Sequence, residues 1–183
     1  MSKKESEVKK WVSDEVHHLL KNADKIYTQE LKRMAVENPE MLDLLVKIFL
    51  TDEEKLCWHA GWVLFKIADT HTKQLEKYVP GIIQKLPNML YTQQAHGALR
   101  IIKHYDIKDE ELQGILVDTG IRFILENKYA PNLKYFSIVI IEKIAKYYPE
   151  LKNELALTIE EALPHWTTNY IVKFGKQKLL AYR

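Results

Sequence analysis

Pro131-Asn-Leu-Lys-Tyr-Phe-Ser-Ile-Val-Ile-Ile-Glu-Lys-Ile-Ala-Lys-Tyr-Tyr-Pro-Glu-Leu-Lys-Asn-Glu-Leu155 is where helix and strand compete most closely in this chain. Its centre, Phe136 to Ile141, is β-branched and would suit a buried strand. The run continues, however, into Glu142-Lys-Ile-Ala-Lys146 with helical spacing, so the whole stretch reads as a buried helix. Pro131 and Pro149 stand where a first helical turn has no amide partner to lose, which divides the stretch into two helix starts.

The same reading extends outward. With only six glycines and six prolines, the chain carries apolar residues at i, i+3, i+4 and i+7 over long stretches. The breakers predict helices over roughly 5–20, 23–37, 39–50, 53–69, 72–86, 91–105, 109–127, 131–147, 149–162 and 167–182. Thr51-Asp52-Glu53-Glu54 supplies a cap and acidic first-turn residues, and Pro39 repeats the role of Pro131. Pro80 falls inside an apolar pattern and either kinks its helix or breaks it after Tyr78, leaving Gly81 to Leu86 as a short continuation.

One pattern recurs. Ala60-Leu64-Ile67, Ala95-Leu99-Ile102, Ser137-Ile141-Ile144 and Gly175-Leu179-Tyr182 each place an apolar residue four after a small one and another three beyond, at offsets of 35, 42 and 38. Leu31, Met34 and Asn38-Pro39-Glu40-Met41 echo Ile141, Ile144 and Tyr148-Pro149-Glu150-Leu151 at 110 residues, about three such periods. A helical hairpin that cannot bury its apolar face alone stacks on its neighbours, with the small residue allowing close approach. The Trp, Leu-Gly and Tyr signature of TPR repeats is missing, and a variable period with proline near the second helix favours HEAT repeats. The expectation is one all-α domain, residues 1–183, built as a HEAT/armadillo-like α-α superhelix of four to five antiparallel helix pairs.

The Pro131–Leu155 segment resembles the penultimate repeat of small bacterial HEAT-like proteins, which end in a short hairpin partner and a basic last helix. Ala156 to Leu163 and Thr167 to Arg183 match that layout, and with Trp58 to Leu86 the resemblance covers about two-thirds of the chain. Some relatives carry an adenylosuccinate lyase label. The lyase superfamily resembles a much longer bundle with a Ser-Ser-x-Met-Pro-x-Lys-x-Asn loop, and no such loop occurs here.

Composition narrows the function classes. One cysteine, Cys57, excludes an intrachain disulfide and suits a reducing, cytoplasmic compartment. Met1 to Lys10 lacks the apolar core of a signal peptide, and no apolar run reaches the roughly 18 residues of a membrane span. Lys plus Arg number 27 against 25 Asp plus Glu, too balanced to imply nucleic acid by charge alone, although Lys173, Lys176, Lys178 and Arg183 make the C-terminal stretch basic.

No chemical signature stands out. His17 and His18 are adjacent and point about 100° apart on a helix, no His-x3-His occurs, and one cysteine cannot build a thiolate zinc site, so neither metal nor cofactor is expected. His59 and His96 flank the small positions and read as partly buried, backbone-bonded residues. Ser137 lies mid-helix without a glycine elbow, Cys57 lacks a basic neighbour, and the pairs Glu53-Glu54, Glu110-Glu111 and Glu160-Glu161 suit helix starts or polar faces.

Aromatic residues are more suggestive. Trp58, Trp62 and Phe65 share a helical stripe that serves either as core or as an aromatic wall on a concave surface, and Tyr129, Tyr135, Tyr147, Tyr148 and Tyr170 crowd the later repeats. The leading expectation is a non-enzymatic scaffold or adaptor that binds a protein partner on its concave face, with Trp58, Trp62, Lys173, Lys176 and Arg183 as partner-binding candidates. The alternative is a nucleic-acid-binding protein similar to HEAT-like DNA alkylation-repair glycosylases, with Trp58, Trp62 and Asp69 imitating their lesion site. Only four arginines, Arg33, Arg100, Arg122 and Arg183, weigh against it. A homodimer through the C-terminal repeat is expected if Ile171, Phe174, Leu179 and Tyr182 are left uncovered.

Overall fold

The computed structural model of the chain describes residues 14, 16, 18, 20 and 25–182. Asp14, Val16, His18 and Leu20 are helical, in line with the first expected helix; His17, the N-terminal lysines and Arg183 lie outside the described residues. No strand occurs among the described residues, and none of their helices is long and apolar enough to cross a membrane. The chain forms two compact units, residues 1–79 and 80–183.

In the first unit, α1 (Lys25–Glu37), α2 (Pro39–Phe49) and α3 (Glu54–Ala68) pack on one another, and α4 (Thr72–Leu75) closes against α3. Asn38 ends α1 and starts α2: its Oδ1 accepts from the Glu40 amide at 2.9 Å and the Met41 amide at 3.4 Å, with Pro39 at the first helical position. Leu31, Leu45, Phe49, Leu64 and Ile67 are fully buried. A Cβ on Gly61 would lie 2.8 Å from the Phe49 ring, so glycine there lets α3 close on α2. Gln74 Nε2 donates to the Val36 carbonyl at 3.1 Å, and Lys77 and the Tyr78 hydroxyl both reach Asp43, which ties the start of the next hairpin back to α1 and α2. These partners hold the Asp43 carboxyl below its ordinary range, the Tyr78 hydrogen bond foremost.

Pro80 breaks its helix, as the second of the two expected outcomes has it. The chain tightens into a 3₁₀ turn over Glu76–Tyr78 and restarts as α5 (Val79–Lys85), with the proline in the first turn, where its missing N–H costs nothing. A second 3₁₀ turn, Leu86–Asn88, leads to α6 (Thr92–Ile102). The second unit continues with α7 (Glu110–Leu125), α8 (Pro131–Ile144), α9 (Leu151–Ala162), a 3₁₀ turn at Leu163–His165 and α10 (Asn169–Tyr182). Two hairpins, α7–α8 and α9–α10, stack so that α7 meets α9 in one layer while α6, α8 and α10 adjoin in the other. Ile124, Ile138, Ile141, Leu155, Ile159 and Ile171 form the core between the layers.

The repeated pattern is the packing pattern. Ala60, Leu64 and Ile67 are sealed from solvent, as are Ala95, Leu99 and Ile102 and then Ser137, Ile141 and Ile144. Gly175 is buried where a Cβ would stand 2.6 Å from the Trp166 ring. The buried Ser137 hydroxyl finds no partner among the described residues, so size rather than polarity explains serine there. Two lysines of α8 act as staples. Lys134 Nζ donates to the carbonyls of Phe123, Ile124 and Glu126 at 3.1, 2.8 and 2.9 Å, and Lys143 Nζ to those of Lys103 and Tyr105 at 2.7 and 2.9 Å. Each caps the C-terminal end of another helix, where the partial negative charge of the helix dipole collects.

Candidate partner-binding surface

On α3, the buried face is set by Leu56, Cys57, Ala60, Val63, Leu64 and Ile67. Trp58 and Trp62, four residues apart, fall outside it. Trp58 is half-buried and Trp62 is 42% exposed, with the two rings edge-on at 5.8 Å. Trp58 also stacks on His59 at 5.3 Å, and His59 Nδ1 donates to the Leu20 carbonyl at 2.6 Å, the backbone bond expected of it. Phe65, seven residues after Trp58 and so on nearly the same side of the helix but further along it, is nevertheless only 6% exposed and belongs to the core.

In the second unit, an aromatic ridge crosses the layer of second helices. His96 of α6 meets Phe136 of α8 at 5.5 Å; Tyr135, edge-on to Phe136 at 5.1 Å, meets Phe174 of α10 at 4.6 Å. Lys103 lies over Phe136 at 5.4 Å and Lys178 over Phe174 at 5.2 Å, cations placed against ring faces. Glu142 fixes Lys178 at 2.6 Å and accepts from the Tyr182 hydroxyl at 2.7 Å; burial and that carboxylate push the Tyr182 phenol well up. The tyrosines singled out in the sequence divide: Tyr129 packs edge-on to Phe123 and Tyr147 donates to Asp106 at 2.8 Å, both structural, whereas Tyr135 is in the ridge and Tyr170 is 48% exposed beside it.

Burial first, then Arg100 and Lys103, hold His96 below the ordinary histidine pKa. A group whose folded pKa is depressed takes up its proton more readily when unfolded, so its contribution to stability is present above the unfolded value and is lost as pH falls below about 6.5. Urea midpoints measured at pH 7 and pH 5 are therefore expected to converge in His96→Gln relative to the unaltered chain; an unchanged gap between them would remove His96 from the account.

Lys173 and Lys176 are exposed on α10, in the second unit, whereas Trp58 and Trp62 belong to the first. Lys176 lies two residues after Phe174, about 200° around the helix, and so on the side away from the ridge. The thiol of Cys57 is buried and donates to the Glu54 carbonyl at 3.2 Å, and burial pushes its pKa up to about 11, leaving little thiolate for nucleophilic chemistry. No group of three His, Cys, Asp or Glu among the described residues could hold a metal ion. A cleft of about 280 Å³ opens by the turns before α8 and α10, lined by Thr92, Lys128, Lys134, His165, Thr167 and Thr168 among others. Its lysines are engaged, Lys134 on carbonyls and Lys128 on Glu126 at 2.5 Å.

Residues 14–177 match the family described as HEAT repeat domain. None of the curated proteins compared with the chain matches it.

Proposed function

The chain belongs to the HEAT repeat family, and from that premise we propose that it is a non-enzymatic scaffold or adaptor that binds a protein partner on its concave face. The observation that carries this reading is the placement of large aromatic side chains at the surface of each unit: in the first, Trp62 at 42% exposure with Trp58 half-buried beside it; in the second, Tyr170 at 48% exposure, with Tyr135, Phe136 and Phe174 half-buried. Aromatic residues with one face supported and the other open are the usual anchors of protein interfaces. The family match runs through both units, which supports treating residues 1–183 as one repeat domain.

The test is affinity capture from native extract, with and without nuclease, using the full chain and a Trp58→Ala/Trp62→Ala variant. A stoichiometric protein that survives nuclease, and whose binding falls at least about tenfold in the variant, is the expected result. Retained material that disappears with nuclease, or a partner indifferent to both tryptophans, overturns the reading. Of the residues through which a homodimer was expected, Ile171 is buried and Phe174, Leu179 and Tyr182 pack partly buried against the second unit's core, while Tyr170 and Leu180 of the same helix are 48% and 72% exposed. Light scattering of the full chain is expected to show a monomer.

A further inference from the structure

Nine of the fifteen residues of α3 are buried. Apart from Glu54 at its first position, those that are not are Lys55, Trp58, His59, Trp62 and Lys66, which lie within about 100° of one another around the helix. The side of α3 left to solvent is therefore one narrow strip, in which the two indoles stand between an ammonium group a turn before them and another a turn after. Lys55 is exposed and Lys66 half-exposed. Neither is held by a carboxylate among the described residues. The carboxylates of the helices packed on α3 are spoken for: Arg33 of α1 holds Glu30 at 2.6 Å and Glu37 at 2.8 Å, and Asp43 of α2 meets Lys77 and Tyr78. Asp69, which follows α3 and continues the strip, has a partner of its own. The indoles are also held in place, Trp58 against His59 and His59 against the Leu20 carbonyl, so little freedom is lost when something packs on them.

We infer that this strip is the docking site for a short acidic protein segment with an apolar centre, whose large apolar side chain packs on Trp58 and Trp62 while carboxylates on either side meet Lys55 and Lys66. The inference rests on the scaffold reading above and names the chemistry of the partner. Two unengaged cations select the sign, and the exposed indole between them supplies the apolar anchor. Spacing sets the segment. Lys55 and Lys66 are eleven positions apart, about 16 Å along the helix, a span that about five residues of an extended segment cover. Nucleic acid fits less well, because two cations so far apart meet few phosphates and Arg33, the arginine of α1, is already taken by its own glutamates. The indoles stand edge-on at 81°, a corner for one side chain and not a pair of parallel faces for successive bases.

The experiment is fluorescence anisotropy on the full chain with the labelled peptide Ser-Glu-Glu-Ser-Leu-Phe-Ser-Glu-Glu-Ser. Peptides with Gln or Lys in place of Glu, and an oligothymidylate of similar length, serve as comparators. The Glu peptide is expected to bind at least about tenfold tighter than any comparator and to weaken about tenfold as salt shortens the screening length from about 10 Å toward about 3 Å. Lys55→Glu with Lys66→Glu is expected to lower its affinity at least about tenfold, as is Trp62→Ala. Lys47→Glu with Lys152→Glu, an equal change of net charge at exposed positions on α2 and α9, is expected to leave it unchanged. Lys55→Gln with Lys66→Gln gives the same reading, with a smaller loss, should the double reversal fail to fold. Equal binding of the Gln peptide overturns the acidic preference while leaving the scaffold reading intact. A Glu peptide indifferent to Lys55 and Lys66, or failure of every peptide, overturns the docking site, and the scaffold reading is then judged separately by the capture experiment. Tighter binding of the oligothymidylate overturns the protein segment in favour of nucleic acid, which loss of the captured material on nuclease treatment would extend to the scaffold reading.

Discussion

Lys134→Ala is expected to lower the stability of the second unit by about 3 kcal/mol, read as a shift of the urea midpoint at constant slope. The side chain is 4% exposed, and its ammonium satisfies the carbonyls of Phe123, Ile124 and Glu126 at the end of α7. Truncation strips these acceptors of their shared donor in a place where Phe123 and Ile124 are themselves buried, and a buried acceptor left bare costs about 1–3 kcal/mol. Lys134→Met separates the terms, since it keeps most of the apolar stem and loses only the hydrogen bonds. A loss of about 2 kcal/mol in that variant would assign most of the effect to the carbonyls. A loss below about 0.5 kcal/mol would show that water reaches them and that the staple is dispensable.

Gly175→Val is expected to cost about 3 kcal/mol by the opposite mechanism, overpacking. A Cβ there would lie 2.6 Å from Trp166 Cζ3 and 3.1 Å from Leu163 Cδ1. The indole is 7% exposed, and its Nε1 donates to the Ile124 carbonyl at 3.4 Å, so the ring cannot retreat without giving up core contact and hydrogen bond together. Gly114 is the internal control. It lies in the middle of α7 with nothing within 4 Å of a built Cβ, so Gly114→Ala is expected to raise stability by about 0.5–1 kcal/mol through helix propensity alone. Thermal or urea melts of the two variants should therefore move in opposite directions; a neutral Gly175→Val would mean that α10 can slide away from Trp166 freely.

The pattern that located Gly175 was local. Its place in a series with Ala60, Ala95 and Ser137 followed from spacing alone, and helix bounds came out close for the same reason: α2 starts at Pro39 because Asn38 caps it, and α8 starts at Pro131. The predicted ends overran the observed ones where the chain leaves the helix gradually, as at α6, which stops at Ile102 and continues through turns to Tyr105. Trp58 and Trp62 were legible as an aromatic pair, but which side of α3 they occupy was not; Phe65, counted with them, turned inward.

The amino-acid sequence by itself determined the all-α class, the hairpin repeat and the small-residue seam, because apolar period, caps and proline positions act within a turn or two of helix. Tertiary structure alone decided the rest. Lys134 and Lys143 look like solvated helix lysines until α8 is laid beside the ends of α7 and α6, and the ridge of His96, Phe136, Tyr135 and Phe174 joins residues about forty positions apart that no local rule connects.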